Sequence, residues 1–400
     1  MIKKIQYLLQ IFLLSPFLIL ILLIRPFVLI RFGNLGCERI GRIWNAELYL
    51  LLEKEKKENT NSFDIWITGY NVSNQQLLII LKRKFFTTSY LLTLYKVINQ
   101  LSKWLTIYSK HIIRKNDYRY DSKNLFDKYP TQLNLTKHEI NKGELNLKQF
   151  GIPKNAKIAC ITNRDGLYLK KTYPSEQFSN HDYRDSSIEN YVPAIKALIK
   201  KNYYVVRMGK IAAKKVKISS KKFIDYPFHP ARSDFMDFFF AYKCSFWIGG
   251  STGIDELANI FRKPIAYLNL APIAGMNIRM SMKKILIAPK TYTNSKNSKI
   301  TLKKIFDYGI SRSTNSADLK KKKIKLKELT KKQIKDIALE MEDLTKISWK
   351  MKNKKNVQLQ KKFKNLYLKK IHEVNPNFHY GKFKSIYSPS LLRKNPWFLN

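Results

Sequence analysis

Cysteine is scarce: Cys37, Cys160 and Cys244 stand far apart in 400 residues, with no paired ligand spacing. That excludes a disulfide framework and a cysteine-rich zinc site, and it fits a reducing cytoplasmic setting. Acidic residues are few as well, 29 Asp plus Glu against 75 Lys plus Arg, for a net charge of +46. Scattered lysines usually form a solvated surface. A surplus this large nonetheless attracts anionic lipid, nucleic acid or phosphorylated substrates. Three nucleotide signatures are missing: the P-loop, the Rossmann G-x-G-x-x-G and the kinase motifs, which disfavours ATP, NAD and phosphotransfer. Basic residues interleaved with aromatics on a recognisable RNA-binding module are absent too, so no nucleic-acid partner is expected. No solenoid repeat is visible. What remains, 44% hydrophobic and 13% aromatic residues, suffices for sizeable cores and argues against a disordered basic chain.

Residues 5–24, IQYLLQIFLLSPFLILILLI, carry no charge and are bounded by Lys3, Lys4 and Arg25. Twenty residues at about 1.5 Å rise just cross a hydrocarbon core of about 30 Å. Gln6, Gln10 and the Ser15-Pro16 pair interrupt the run, as in a kinked or re-entrant segment. No small-x-small cleavage site follows, so a retained anchor over residues 1–25 is expected rather than a signal peptide. Arg25, Arg31, Arg39 and Arg42 follow the run, which puts the main body on the cytoplasmic side of the inner membrane by the positive-inside rule.

Beyond the anchor, apolar runs alternate with helical patterns. A strand over 27–32 leads into a glycine loop and an amphipathic helix; a polar linker, EKEKKENTNS, precedes a strand over 63–68 and a helix over 73–84. Residues 85–150 are harder to read. From Gly151 the pattern sharpens: strands at 157–165, 203–209, 223–227, 245–250 and 264–270 alternate with helices at 186–202, capped by Ser186, 233–244 and 251–262. Such alternation implies right-handed βαβ crossovers in a parallel sheet. A Lys-rich bridge, LKKKKIKLK, and a helix over 331–344 capped by Thr330 follow. The predicted domains are 26–150, 151–345 and a C-terminal helical extension, 346–400.

Ligands of open parallel sheets bind at the carboxyl ends of strands. Gly249-Gly250-Ser251-Thr252-Gly253 reads as strand, turn and helix start, a setting where free N–H groups suit a phosphate; a tight turn with a Ser251 or Thr252 cap is the plainer alternative. His181-Asp182-Tyr183-Arg184-Asp185-Ser186 precedes a helix. There Arg184 can offer a fork to a diphosphate, while His181, Asp182 or Asp185 can act as a base; a local capping network is equally consistent. Arg207-Met208-Gly209-Lys210 and Asn163-Arg164-Asp165-Gly166 add cations at two further strand ends. Glu256 is positioned to reach a ribose hydroxyl or else to lie exposed on its helix. Phe238, Phe239 and Phe240 read as core. His111, His138, His229, His372 and His379 show no ligand spacing and read as surface or capping residues, and no metal site is expected.

In RFGNLGCERIGRIWNAELYL, NRDGLYL, HDYRDSSIENYVPAIKAL, YYVVRMGK and SDFMDFFFAYKCSFWIGGSTGIDELANIFRKPIAYLN the chain resembles a family of bacterial glycosyltransferases. The likeness covers most of residues 26–275, and Asp-Tyr-Arg-Asp with Arg-Met-Gly downstream is its most specific part. It implies an α/β, GT-B-like fold: two Rossmann-like domains facing a cleft, with the nucleotide-sugar held mainly by the second. A departing nucleoside diphosphate needs its charge neutralised. GT-A enzymes use a metal on Asp-x-Asp, a motif missing here. On this reading Arg184, Arg207, Lys210 and the Gly250–Gly253 backbone bind the donor diphosphate and Glu256 the ribose, Arg164 is a further donor-binding residue, and no separate cofactor is needed. The partners implied are a nucleotide-sugar donor, a glycan or glycolipid acceptor and membrane lipid, in surface polysaccharide or glycolipid synthesis. The competing reading is a non-catalytic basic binding protein, for lipid or nucleic acid, on the same α/β fold.

Overall fold

A computed structural model describes residues 2–56, 61–174, 179–276, 282–346, 351, 353–376 and 381–400. Most of the linker centre (57–60) and His379 lie outside the described residues. The chain divides into two compact units, residues 1–120 with 131–134, and residues 121–130 with 135–400. The division thus falls near 120 and 134 rather than at 150, and residues 346–400 are no separate extension.

The first unit begins with α1 (Ile2–Ile24), which runs unbroken through Pro16. Proline removes the N–H that would bond the carbonyl four residues back. That carbonyl, Phe12 O, instead accepts from the Ser15 hydroxyl at 2.7 Å. Three short strands follow, β1 (Leu29–Asn34), β2 (Ser62–Ile67) and β3 (Phe86–Thr88), paired in parallel in chain order. The helices between them are α2 (Ile43–Glu55) and α3 (Gln75–Lys82), the latter capped by the Asn74 side chain; α4 (Leu92–Leu101) comes after β3. Gly33 is obligatory, because a Cβ there would lie 2.5 Å from the Trp66 ring. Buried Glu47 accepts from the amides of Gln132 and Leu133, which ties 131–134 into this unit. His111 is buried rather than at the surface, its Nδ1 2.6 Å from Ile30 O. Three strands make a smaller sheet than a full Rossmann domain would carry.

The second unit holds a seven-stranded, wholly parallel sheet in the order β12-β9-β8-β7-β4-β5-β6. Its strands are β4 (Lys157–Ile161), β5 (Tyr203–Arg207), β6 (Phe223–Asp225), β7 (Phe246–Gly249), β8 (Ile265–Leu270), β9 (Ile285–Pro289) and β12 (Ile386–Tyr387). Between β9 and β12 the short strands β10 (Thr291–Thr293) and β11 (Lys325–Lys327) form an antiparallel pair. The Lys-rich bridge is therefore partly a strand. Apolar runs such as Ile158–Ile161 and Phe246–Ile248 are wholly buried, as expected for a sheet covered on both faces.

Helices in this unit include α5 (Lys137–Asn146), α6 (Val192–Lys200), α7 (Asp234–Lys243), α8 (Asp255–Ile260), α9 (Lys331–Leu344) and α10 (Lys354–Val374). Thr330 and Ser233 cap α9 and α7 through side-chain acceptance of backbone N–H groups. Ser186 caps nothing: a 3₁₀ turn over Ile188–Asn190 intervenes before α6. Phe238, Phe239 and Phe240 are core. Because β5 and β6 extend to one side of β4 and β7 to the other, the sheet reverses direction between β4 and β7. A crevice is expected at the carboxyl ends of those two strands.

Candidate functional site

At that reversal point the loop after β4 and the loop after β7 interlock. The Gly250 amide donates to Thr162 Oγ1 at 3.3 Å. A Cβ on Gly250 would sit 3.0 Å from the Arg164 amide nitrogen. The expected phosphate cradle is filled by the protein itself. Asp255, 0% exposed, accepts from Thr162 Oγ1 at 2.6 Å, Trp247 Nε1 at 2.8 Å and the Thr252 amide at 2.7 Å. Its carboxylate lies where a Gly249 side chain would begin, 2.8 Å from an ideal Cβ. With Ser251 in the left-handed region (φ 58°), the helix starts at Asp255 rather than at 251. Gly250, Ser251, Thr252 and Gly253 therefore form a loop closed by an internal carboxylate. Glu256 is buried too and accepts from Asn259 Nδ2 at 2.7 Å, so it neither reaches outward nor lies exposed.

Two other expected donor ligands are engaged elsewhere. Arg207 is 1% exposed; its Nη1 donates to Lys214 O at 2.6 Å and to Asp225 Oδ1 at 3.1 Å. Asp225 in turn accepts from the Val216 amide at 2.7 Å. The pair is a brace that folds the loop after β5 onto β6, because a buried guanidinium requires a counter-charge. Lys210 Nζ sits 3.7 Å from Asp234 at the start of α7.

The remaining cations converge. Arg164, Asp182 and Asp185 line one cavity of about 780 Å³, together with Lys290, Lys320, Lys323, Lys325 and Glu328, a volume in the range of small-molecule sites. Arg164 Nε and Asp185 Oδ1 are 3.1 Å apart, close enough for charge pairing but without hydrogen-bond alignment. Arg184 is not among the residues that line the cavity. Its Nη2 donates to Ser251 O, and its Nε is shut off from solvent with no acceptor. Burial, and then the charge of Arg164, pull the Arg184 pKa below its ordinary value. Lys290, 5% exposed, donates from Nζ to Asp185 O. Burial lowers its pKa, with Glu328 and Asp185 opposing.

Not every carboxylate here is available. Asp165 accepts from the amides of Leu167 and Ala213, and Glu328 from the Ser187 amide and Asn190 Nδ2. Burial raises the Asp185 pKa while Arg164 opposes it. Asp182 is the exposed carboxylate of the group. His181 does not line the cavity; its ring lies 6.5 Å from that of Tyr183.

No family model and no curated protein matches the chain. Two solved structures are similar to it. The ADP-heptose LPS heptosyltransferase II of E. coli aligns over 61% of this chain and 86% of its own, at 11% identity and a TM-score of 0.36. The family 9 glycosyl transferase of Veillonella parvula aligns over 78% of this chain and 97% of its own, at 10% identity and a TM-score of 0.41. Overlaps of that size carry no argument about this chain.

Lys290 and Asp255 are absent from the sequence reading, and each left a signal. Lys290 directly follows Ile285–Pro289, an apolar run that marks a strand and puts the lysine at its carboxyl end. Thr252-x-x-Asp255 has the spacing of a capping box, in which an acidic side chain reaches back to an amide three residues earlier. Among the described residues no cluster of three or more His, Cys, Asp or Glu is arranged to hold a metal.

Proposed function

We propose that the chain is a GT-B glycosyltransferase that moves a sugar from a nucleotide-sugar to a hydroxyl of a glycan or glycolipid, with the donor diphosphate bound by Arg164 and Lys290. The observation that carries this is the buried Lys290 ammonium beside Arg164 on a cavity at the sheet reversal. Holding cations together out of water is costly, and an anionic ligand repays it. As the bond from the anomeric carbon to the diphosphate breaks, charge accumulates on the leaving oxygen. Preset cations in a partly dry site stabilise that charge strongly. This neutralisation needs no metal. Asp182, exposed on the same cavity, takes the proton of the attacking acceptor hydroxyl. Lys320, Lys323 and Lys325, which line the same cavity, suit the rest of an anionic donor. The reaction belongs at the cytoplasmic face of the inner membrane.

The test is thermal stabilisation of the full chain by a panel of nucleotide-sugars. A ligand bound only by the folded state, present at a hundred times its Kd, adds about 2.7 kcal/mol of stability. Lys290→Met keeps the volume of the side chain and removes one charged contact worth about 1.5–3 kcal/mol. Donor affinity is expected to fall about ten- to a hundredfold with the fold intact. The proposal fails when no nucleotide-sugar shifts the wild-type transition, or when the methionine variant binds as tightly as the native chain.

A further inference from the structure

We infer that α1 lies in the plane of an anionic bilayer, one face docked on its own unit and the other in lipid, rather than crossing the membrane. The helix has two apolar faces. Tyr7, Ile11, Leu14, Leu18, Ile21 and Leu22 recur at spacings of three and four apart from one adjacent pair, and pack on a core containing Phe32, Leu94, Val97, Ile98 and Leu101. The opposite face, including Leu9, Phe12, Leu13, Leu20 and Leu23, is bare; Phe12 is 75% exposed. A helix apolar all round requires cover on every side, and here half of that cover is supplied.

The docked stripe extends from Tyr7 to Leu22, about 22 Å at 1.5 Å per residue. An upright crossing would carry the elements packed along it, β1 and α4, into the hydrocarbon. Lys96 of α4 is exposed, and a lysine at mid-bilayer costs about 2.5–3.5 kcal/mol or more. An in-plane helix avoids that cost. Its bare face enters the acyl boundary, as in monotopic helices.

Neighbouring groups suit that placement. Phe27 is 77% and Trp104 70% exposed; Trp104 lies on the segment that sends Leu101 and Tyr108 into the α1 core. Tryptophan favours the headgroup level. Lys103 and Lys110 are exposed on that same segment, and they sit within a chain of net charge +46. This complementarity selects an anionic bilayer over a protein partner. The Ser15 hydroxyl on Phe12 O further removes the polar group that Pro16 would otherwise leave unsatisfied in lipid.

Two measurements on the full chain decide this. In flotation with phosphatidylglycerol and phosphatidylethanolamine vesicles, Phe12→Glu with Leu20→Glu should lower binding at least about tenfold without moving the thermal transition. Undiminished binding overturns the inference, as does a lipid-free dimer that buries this face and ignores vesicles. For topology, Lys3→Cys should react with an impermeant maleimide added outside vesicles that carry the second unit outside, since the three native cysteines are buried. Labelling only after lysis means that α1 spans, and overturns the in-plane geometry even if the double variant fails to fold.

Discussion

Removal of the Asp255 carboxylate tests whether the loop after β7 is held by an internal anion. Asp255→Ala strands three donors, the buried Thr162 Oγ1 and Trp247 Nε1 and the half-buried Thr252 amide, each now bonded at 2.6–2.8 Å. A stranded donor costs about 1–3 kcal/mol. Relief of the cost of burying the charge offsets part of the sum. The expected net loss is about 3–6 kcal/mol, a large share of a typical stability of about 5–15 kcal/mol. Asp255→Asn is milder. Its carbonyl can still accept from Thr162 and Trp247, which share Oδ1, but its NH₂ then faces the Thr252 amide, donor against donor. That single loss is worth about 1–3 kcal/mol. At about 2–4 °C per kcal/mol for a large domain, the alanine variant should melt about 10 °C lower and the asparagine variant about half as far. A thermal or urea transition followed by far-UV circular dichroism measures the loss. An alanine variant within about 1 kcal/mol of wild type, or equal losses for the two substitutions, refutes the reasoning.

Other consequences are more quickly stated. Asp182→Asn should lower kcat about 10²–10⁴-fold, the usual worth of a general base, while the donor Kd from the thermal assay stays put; equal turnover removes Asp182 from the chemistry. Burial raises the Asp237 carboxyl from 3.8 to about 7, with the Arg232 guanidinium opposing. A carboxyl whose folded pKa lies above its unfolded value holds its proton more tightly in the fold. Its share of stability is therefore complete below about pH 4 and drains away as pH climbs through about 7, by at most about 4 kcal/mol. Asp237→Asn should flatten that slope, which stability measured at about pH 5 and pH 8 would show. Gly143→Ala sets propensity against packing. Alanine gains up to about 1 kcal/mol in a helix, yet its Cβ would lie 2.0 Å from the Phe239 ring, so a lower melting temperature is expected.

Five of the seven strands in the second unit's main sheet, β4 to β8, were legible because fully buried parallel strands read as apolar runs, as in Ile158–Ile161 and Ile265–Leu268, whereas β9 is missing from the sequence expectations. The cap at Thr330 was legible because the chemistry of a cap is local. Short strands left less trace: β3 has three residues and β12 two, too few to show a period. The site divided along the same line. Sequence puts cations at strand ends but says nothing of their counter-charges. Arg207 and Arg164 look alike there, yet Asp225, eighteen residues downstream, claims the first while the second lines the cavity. Asp255 was overlooked because a buried acid on a short helix resembles an exposed one until Trp247 and Thr162 fold around it. In α1 uniform apolarity concealed the docked stripe, since periodicity needs a polar face for contrast.

Strand β12 pairs with β9 across about a hundred residues of chain, and Lys382 meets the Asn124 side chain over a separation of 258. Contacts so distant in sequence cannot form until nearly the whole polypeptide has emerged from the ribosome. The first unit, complete by residue 134, can assemble early and settle while the larger sheet still waits with an open edge at β9. Nascent chains stalled before residue 386 would expose that edge, a ready template for mispairing.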